Sequence, residues 1–307
     1  MRTEPEPSSD PVSPADPLVP GDLLARAAPG LFVFIWATGF VVARLVAPHA
    51  EPLTFLSIRF IGTTLVLAAF AVAVGARWPS GARGWRDALI AGALIQGFYL
   101  AGVFWAVRHG LTAGVAALVA SLQPLLTAAL AGPLLGEAVS GRRWLGILVG
   151  FVGAGLVVAP KLGVAGGLPP VALLSCFLGM VAITLGTVWQ KRTASAVDLR
   201  TNAAVQFVGG ALVLAPLALL FERGEFDGAP ALWLGLAWAV FGLSIGGILI
   251  LLWLIRRGAV AGVAALLYLV PPVSAAMAYV LFGETLAPVQ LVGMAVAAAG
   301  VAVASRG

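Results

Sequence analysis

Along this chain, long apolar runs alternate with short polar breaks. Ten runs follow residue 26, at about 28–46, 52–74, 88–107, 112–132, 142–160, 168–190, 200–221, 230–254, 259–282 and 287–304. The breaks carry proline, glycine and charge, as in Pro48 to Pro52, Gly75 to Arg86, Arg108 to Gly110 and Gly283 to Pro288. Each run is near the ~20 residues that an α-helix needs to cross a bilayer. Only helices and closed barrels satisfy backbone polar groups in lipid, and continuous apolar runs of this length are helices. The pattern predicts an all-α integral membrane protein with ten transmembrane helices. Residues 1–26 differ: they hold six prolines, five acids and no apolar run. That composition predicts a disordered tail. A basic start followed by an apolar core is missing there, so the tail does not read as a signal peptide.

The pattern is written twice. Trp105, Arg108, Gly110, Ala113-Gly114-Val115-Ala116-Ala117-Leu118 and Pro124 return 148 residues later as Trp253, Arg256, Gly258, Ala261-Gly262-Val263-Ala264-Ala265-Leu266 and Pro272. At an offset of 147, Phe60-Ile61-Gly62 matches Phe207-Val208-Gly209, Gly39 matches Gly186, and Arg44 matches Lys191. Gly136-Glu137 matches Gly283-Glu284, and Gly146 and Gly153 match Gly293 and Gly300. Matches in constant order and register imply an internal duplication. The division expected is a cytoplasmic tail at 1–26, a first five-helix repeat at 27–160 and a second at 161–307.

Composition and charge sharpen this. The 307 residues are 61% hydrophobic and 10% charged, against about 25% charged in soluble domains. Mean hydropathy is +1.03. The net charge of +5 comes from basic residues scattered among the breaks, so it is no nucleic-acid footprint. Thirteen of the eighteen basic residues fall on the N-terminal side of the ten runs, four fall on the other, and Arg59 lies within a run. By the positive-inside rule both termini are cytoplasmic. Five spans per repeat is an odd number, so the second repeat enters the membrane upside down. Inverted repeats of this kind build secondary transporters, with the site near the midplane between halves.

The residues also resemble a known family, the EamA-type branch of the drug/metabolite transporter superfamily. The matching residues are Trp36-Ala37-Thr38-Gly39-Phe40 with Arg44, then Pro52 with Arg59-Phe60. Pro124 followed by Gly136-Glu137, and Pro272 followed by Gly283-Glu284, match both repeat ends, as do the glycine-spaced fifth and tenth spans. The resemblance covers about 28–304. It implies a ten-helix, multi-pass inner-membrane exporter of small metabolites, similar to bacterial amino-acid exporters, including the aromatic type. It implies a central cavity, a small-molecule substrate such as an amino acid, and no cofactor. The chain is expected to work as a monomer. A different solute, such as a lipophilic drug or a purine-like metabolite, is the alternative; a membrane scaffold that does not transport is a more remote one.

Candidate site residues follow from polarity placed where it is costly. Arg59 is the one cation set well into a span. Intramembrane charge faces a cavity or a partner, or else the side chain snorkels to the membrane surface. Gln206 keeps polarity at the matching place in the second repeat. Gln96, Tyr99, Ser121, Gln123, Thr184, Ser244 and Tyr268 are the other polar side chains nearest span centres. They make helix–helix hydrogen bonds or hold substrate. Trp36 and Phe40, with Phe98 and Trp105, offer an apolar wall. Pro124, Pro271 and Pro272 lie mid-span at matching places and predict helix kinks for gating. Glu137 and Glu284 are expected to cap the fifth and tenth helices. The glycines of those helices are expected to allow close packing.

All thirteen acids fall in the tail, in loops or at helix ends. A carboxylate inside the membrane is common in proton-coupled carriers, so facilitated or exchange movement is the simpler expectation. His49 and His109 near helix ends predict no metal cluster, and the single Cys176 excludes an intrachain disulfide. Nucleotide-binding and metalloprotease motifs are absent. Ser121 and Ser244 have no mid-membrane base to activate them, and no enzyme is expected.

Overall fold

The computed structural model describes residues 20–135, 140–158, 169–193, 198–247, 249–250 and 269–305. Twelve α-helices are described: α1 (Pro20–Val46), α2 (Pro52–Ala73), α3 (Gly81–Gly92), α4 (Tyr99–Arg108), α5 (Ala113–Ser121), α6 (Gln123–Leu135), α7 (Gly141–Val158), α8 (Pro170–Thr193), α9 (Leu199–Phe221), α10 (Pro230–Ala237), α11 (Val270–Phe282) and α12 (Pro288–Ser305). A π-helical stretch, Ala93–Phe98, joins α3 to α4, and a second, Trp238–Gly246, continues α10. Among the described residues the strand-like element is one isolated bridge, Ala50 to Phe226.

Among the described residues five helices are long and apolar enough to cross a membrane: Ala27–Val46, Pro52–Ala73, Gly81–Arg108, Pro170–Thr193 and Leu199–Phe221. The other five predicted runs contain apolar helices of 10–17 residues, at Ala113–Thr127, Trp144–Gly153, Pro230–Gly246, Val270–Phe282 and Pro288–Gly300. Helix α1 begins at Pro20, inside the stretch expected to be a tail. Proline is pre-organised for a first helical turn.

The two copies meet in pairs. Helices α2 and α9 pack together, and the matched Phe60 and Phe207 rings lie 5.6 Å apart between them. Helices α7 and α12 pack through glycine faces. A Cβ added at Gly153 would sit 2.7 Å from the Gly293 carbonyl oxygen, and one at Gly300 would sit 2.7 Å from that of Gly146. Gly153 thus meets the mate of Gly146, and Gly300 meets Gly146 itself. Such reciprocal pairing is the mark of a two-fold axis. The expectation that these glycines permit close approach agrees with this packing.

The matched prolines stand at similar places in the described helices. The run 112–132 breaks at Leu122, between α5 and α6, and Pro124 stands in the first turn of α6. Pro271 and Pro272 stand in the first turn of α11. Proline has no N–H to give to the carbonyl four residues back, so it starts a helix at little cost and breaks one it interrupts. Around Pro124 the interruption is the single position Leu122, and the residues preceding Leu269 lie outside those described.

Candidate substrate-binding cavity

Two contiguous cavities lie where the repeats face one another. The inner one, about 130 Å³, is lined by Trp36, Gly39, Phe40, Arg59, Ile95, Gln96, Tyr99, Leu100, Val103, Phe104, Ile183, Phe207, Leu243 and Ser244. The outer one, about 480 Å³, shares Trp36, Phe40, Ile95, Gln96, Tyr99 and Ile183 with it. It adds Ser121, Gln123, Pro124, Thr187, Gln190, Asn202 and Gln206, among others. It reaches the end of the molecule where α8 finishes and α9 starts.

Arg59 is 5% exposed. Burying a charge at mid-membrane depth costs ~2.5–3.5 kcal/mol on insertion scales, yet Arg59 does not snorkel outward. Its Nη2 donates to the Ser244 hydroxyl at 3.3 Å. Ser244 Oγ in turn donates to the Ala239 carbonyl, five residues back, at 2.9 Å. Arg59 Cζ lies 5.9 Å from the Phe60 ring centroid. Arg59 Nε has no hydrogen-bond partner.

The π-helical stretches give this site a geometry that the run pattern did not signal. An extra residue per turn shifts the following side chains around the helix axis, and such bulges cluster at functional sites. Gln96 sits in the first stretch and Leu243 and Ser244 in the second. Position 96 plus the repeat offset of 147 is 243, so the two bulges occupy matching places.

Of the sequence candidates, Trp36, Phe40, Arg59, Gln96, Tyr99 and Ser244 line the inner cavity, and Ser121 and Pro124 line the outer one. Ser121 donates to the Leu118 carbonyl at 2.7 Å. Gln123 Nε2 donates to the Thr187 hydroxyl at 3.2 Å. Thr184 lines neither cavity; it is buried and donates to the Met180 carbonyl at 2.8 Å. Thr187, three residues on, lines the outer cavity instead. Pro272 is exposed, while Pro271 is buried in α11. Tyr268 and Glu137 lie outside the described residues. Phe98 and Trp105 line a separate, open apolar groove with leucines of α8, so they leave the cavity wall. Thr187, Gln190 and Asn202 were not singled out from sequence.

The end opposite the cavity mouth is tied shut. Glu222 accepts from the Leu53 and Thr54 amides at 2.9 and 2.7 Å and from the Thr54 hydroxyl at 2.8 Å, capping α2. Gly283, at φ +67°, closes α11 in the left-handed region that glycine tolerates. The turn delivers Glu284 to α5, where its carboxylate accepts from the Ala113 amide at 3.1 Å. Its other oxygen lies 3.3 Å from Arg44 Nε. Glu284 therefore caps the helix after Thr112 in the other repeat, rather than the tenth helix. Its side chain faces α5 across the repeat boundary. Arg108 donates to Glu225 at 3.0 Å and to the Ala47 and Ala50 carbonyls. His49 pairs with Asp227 at 2.8 Å. The Asp227 carboxyl is held below its ordinary value, first by the Ala229 amide and then by His49.

Comparison with known proteins agrees with this architecture. The EamA-like transporter family matches residues 25–159 and again 170–306. The chain is 26% identical to the "Uncharacterized inner membrane transporter YedA" of Escherichia coli K12, over 85% of this chain and 84% of that one. It is 29% identical to the "Probable terminal-alkyne amino-acid exporter" of Streptantibioticus cattleyicolor, over 90% and 91%. It is 27% identical to a WAT1-related chloroplastic protein of Arabidopsis thaliana over 86% of this chain, which spans 65% of that longer protein. A crystal structure at 23% identity superposes with a TM-score of 0.65, over 91% of this chain and 96% of that one, and shows the shared fold. With the doubled match, the paired repeats and the apolar helices together, this multi-pass membrane chain belongs to the EamA-like transporter family.

Proposed function

We propose that the protein is a secondary transporter that exports amino acids, aromatic and other apolar ones among them, or similar small metabolites across the inner membrane by alternating access. On this reading ten helices cross the membrane, both termini are cytoplasmic, and residues 27–160 and 161–307 form two inverted repeats working within one monomer.

The observation that carries the reading is a cavity between the repeats, open at one end and tied at the other. Its mouth lies among Gln190, Leu199 and Asn202, at the end where the basic residues gather. The opposite end is stitched by Glu222, Glu284 and the Arg108–Glu225 pair. This is the pattern of an inward-facing carrier, and exchanging the open and tied ends would complete the cycle. Trp36, Phe40 and Phe104 supply an apolar wall, and Arg59, Gln96, Tyr99 and Ser244 supply polar groups.

Uptake of a panel of labelled amino acids into proteoliposomes tests the proposal. Several should enter, and an imposed pH gradient should leave their rates unchanged, because no carboxylate lines either cavity among the described residues. Absence of flux for every amino acid and related metabolite would sink it.

A further inference from the structure

We infer that Arg59 is an anion-binding residue and that the cavity takes amphipathic monocarboxylates, with a free ammonium group weakening binding. The inference rests on the transport reading for its setting and narrows the substrate class of that same site.

Three observations converge. First, the Arg59 guanidinium is nearly enclosed and lines the inner cavity. Its one hydrogen bond is long, 3.3 Å to Ser244, and Nε is unpartnered. Arginine stays charged in proteins and offers five donors, so most of its capacity is unspent. Second, no acid lines either cavity among the described residues. Acids of the facing elements are committed at helix ends: Glu222 on α2, Glu284 on α5 and Arg44, Asp198 on Arg200. A buried charge without a counter-charge is expensive, and the phenyl face of Phe60 only partly offsets it. Third, most of the inner wall is apolar or aromatic, with Trp36, Phe40, Phe104, Phe207 and Leu243 among its residues.

A carboxylate entering this space supplies the missing charge and accepts from the guanidinium fork. Its alkyl or aryl body then rests on the aromatic wall. An ammonium group has the opposite fortune. It meets Arg59 as a like charge and finds only neutral acceptors in Gln96, Tyr99 and Ser121. A zwitterion therefore keeps the carboxylate gain and loses part of it at the amine. A bare amine has nothing to gain.

Four probes with one ring and different heads separate these cases: 3-phenylpropanoate, N-acetylphenylalanine, phenylalanine and 2-phenylethylamine. Each is titrated against the purified full chain in detergent, reading the shift in melting temperature. The two carboxylates without an ammonium should stabilise. Phenylalanine should need roughly tenfold more, and the amine should give no shift, as charged hydrogen bonds are worth about ten- to a hundredfold in affinity. Arg59→Gln should abolish the carboxylate shifts, and Arg59→Lys should restore part. The wild-type protein gives a test independent of any variant's folding: binding of 3-phenylpropanoate should fall as that probe's own carboxyl becomes protonated. An equal shift by the amine, no shift by the carboxylates, an unaltered affinity in Arg59→Gln, or binding indifferent to protonation of the probe would overturn the inference. Flux in proteoliposomes separates its fate from that of the transport reading. Phenylalanine carried equally well by Arg59→Gln would leave transport standing and remove the anion site. Carboxylate binding without flux of any solute would keep the site and remove transport.

Discussion

Glu284→Gln should open the tied end of the molecule without unfolding it. Glu284 does two things there: it accepts from the Ala113 amide at 3.1 Å and lies 3.3 Å from Arg44 Nε. An anion at a partly buried helix N-terminus contributes about 0.3–2 kcal/mol. The Arg44 side chain is 42% exposed, so solvent screening holds that pair to about 0–1 kcal/mol. Together the two contacts favour the tied state by about 1–2 kcal/mol, and losing them should shift the population of the opened state by about 5–30-fold. The assay uses a reporter cysteine at Leu100, a cavity residue. The single native cysteine, Cys176, is buried and stays silent. In spheroplasts, a membrane-impermeant maleimide should label Leu100→Cys slowly, and 5- to 30-fold faster once Glu284→Gln is added. Arg44→Gln should accelerate labelling less, because its contact is the screened one. Equal labelling rates with and without Glu284→Gln, in protein that melts normally, would refute the gate reasoning. A larger effect from Arg44→Gln than from Glu284→Gln would refute the division between the two contacts.

Three further outcomes are expected. Gly153→Ala and Gly300→Ala should each destabilise the folded protein by about 1–3 kcal/mol, since the added methyl meets backbone on both sides. Both strain one interface, so thermal melting should show the double variant losing less than the sum of the singles. Thr187→Val should weaken substrate affinity by about 2- to 12-fold, from the loss of one neutral hydrogen bond, while Thr184→Val should leave the transport KM unchanged, as Thr184 lines neither cavity. The Asp227 carboxyl is held low by the Ala229 amide and His49. A lowered folded-state pKa contributes stability above the ordinary carboxyl value and loses it as pH falls through the folded value. Asp227→Asn should therefore flatten the acid side of the melting profile and leave the neutral side little changed in slope.

Sequence by itself determined the helices, their approximate number and the doubling. Those features are local or periodic: apolar length is set by lipid thickness, and repeated residues record duplication wherever the chain later goes. It also picked out Arg59, Gln96, Tyr99 and Ser244, because a polar group in an apolar run is costly wherever it points, and Trp36 and Phe40 as an apolar wall. The tertiary structure decided which of these share a space. Ser244 reaches Arg59 across 185 positions of sequence, in a direction set by a π-helical turn whose extra residue leaves no mark in hydropathy. Thr184 and Thr187 each donate to the carbonyl four residues back, and only the setting of α8 in the bundle brings Thr187, and not Thr184, to the cavity wall. Glu284 was legible as a capping acid, but which helix it caps depends on which helix ends beside it. That neighbour comes from the other repeat, and adjacency between repeats is a property of packing that no local pattern encodes.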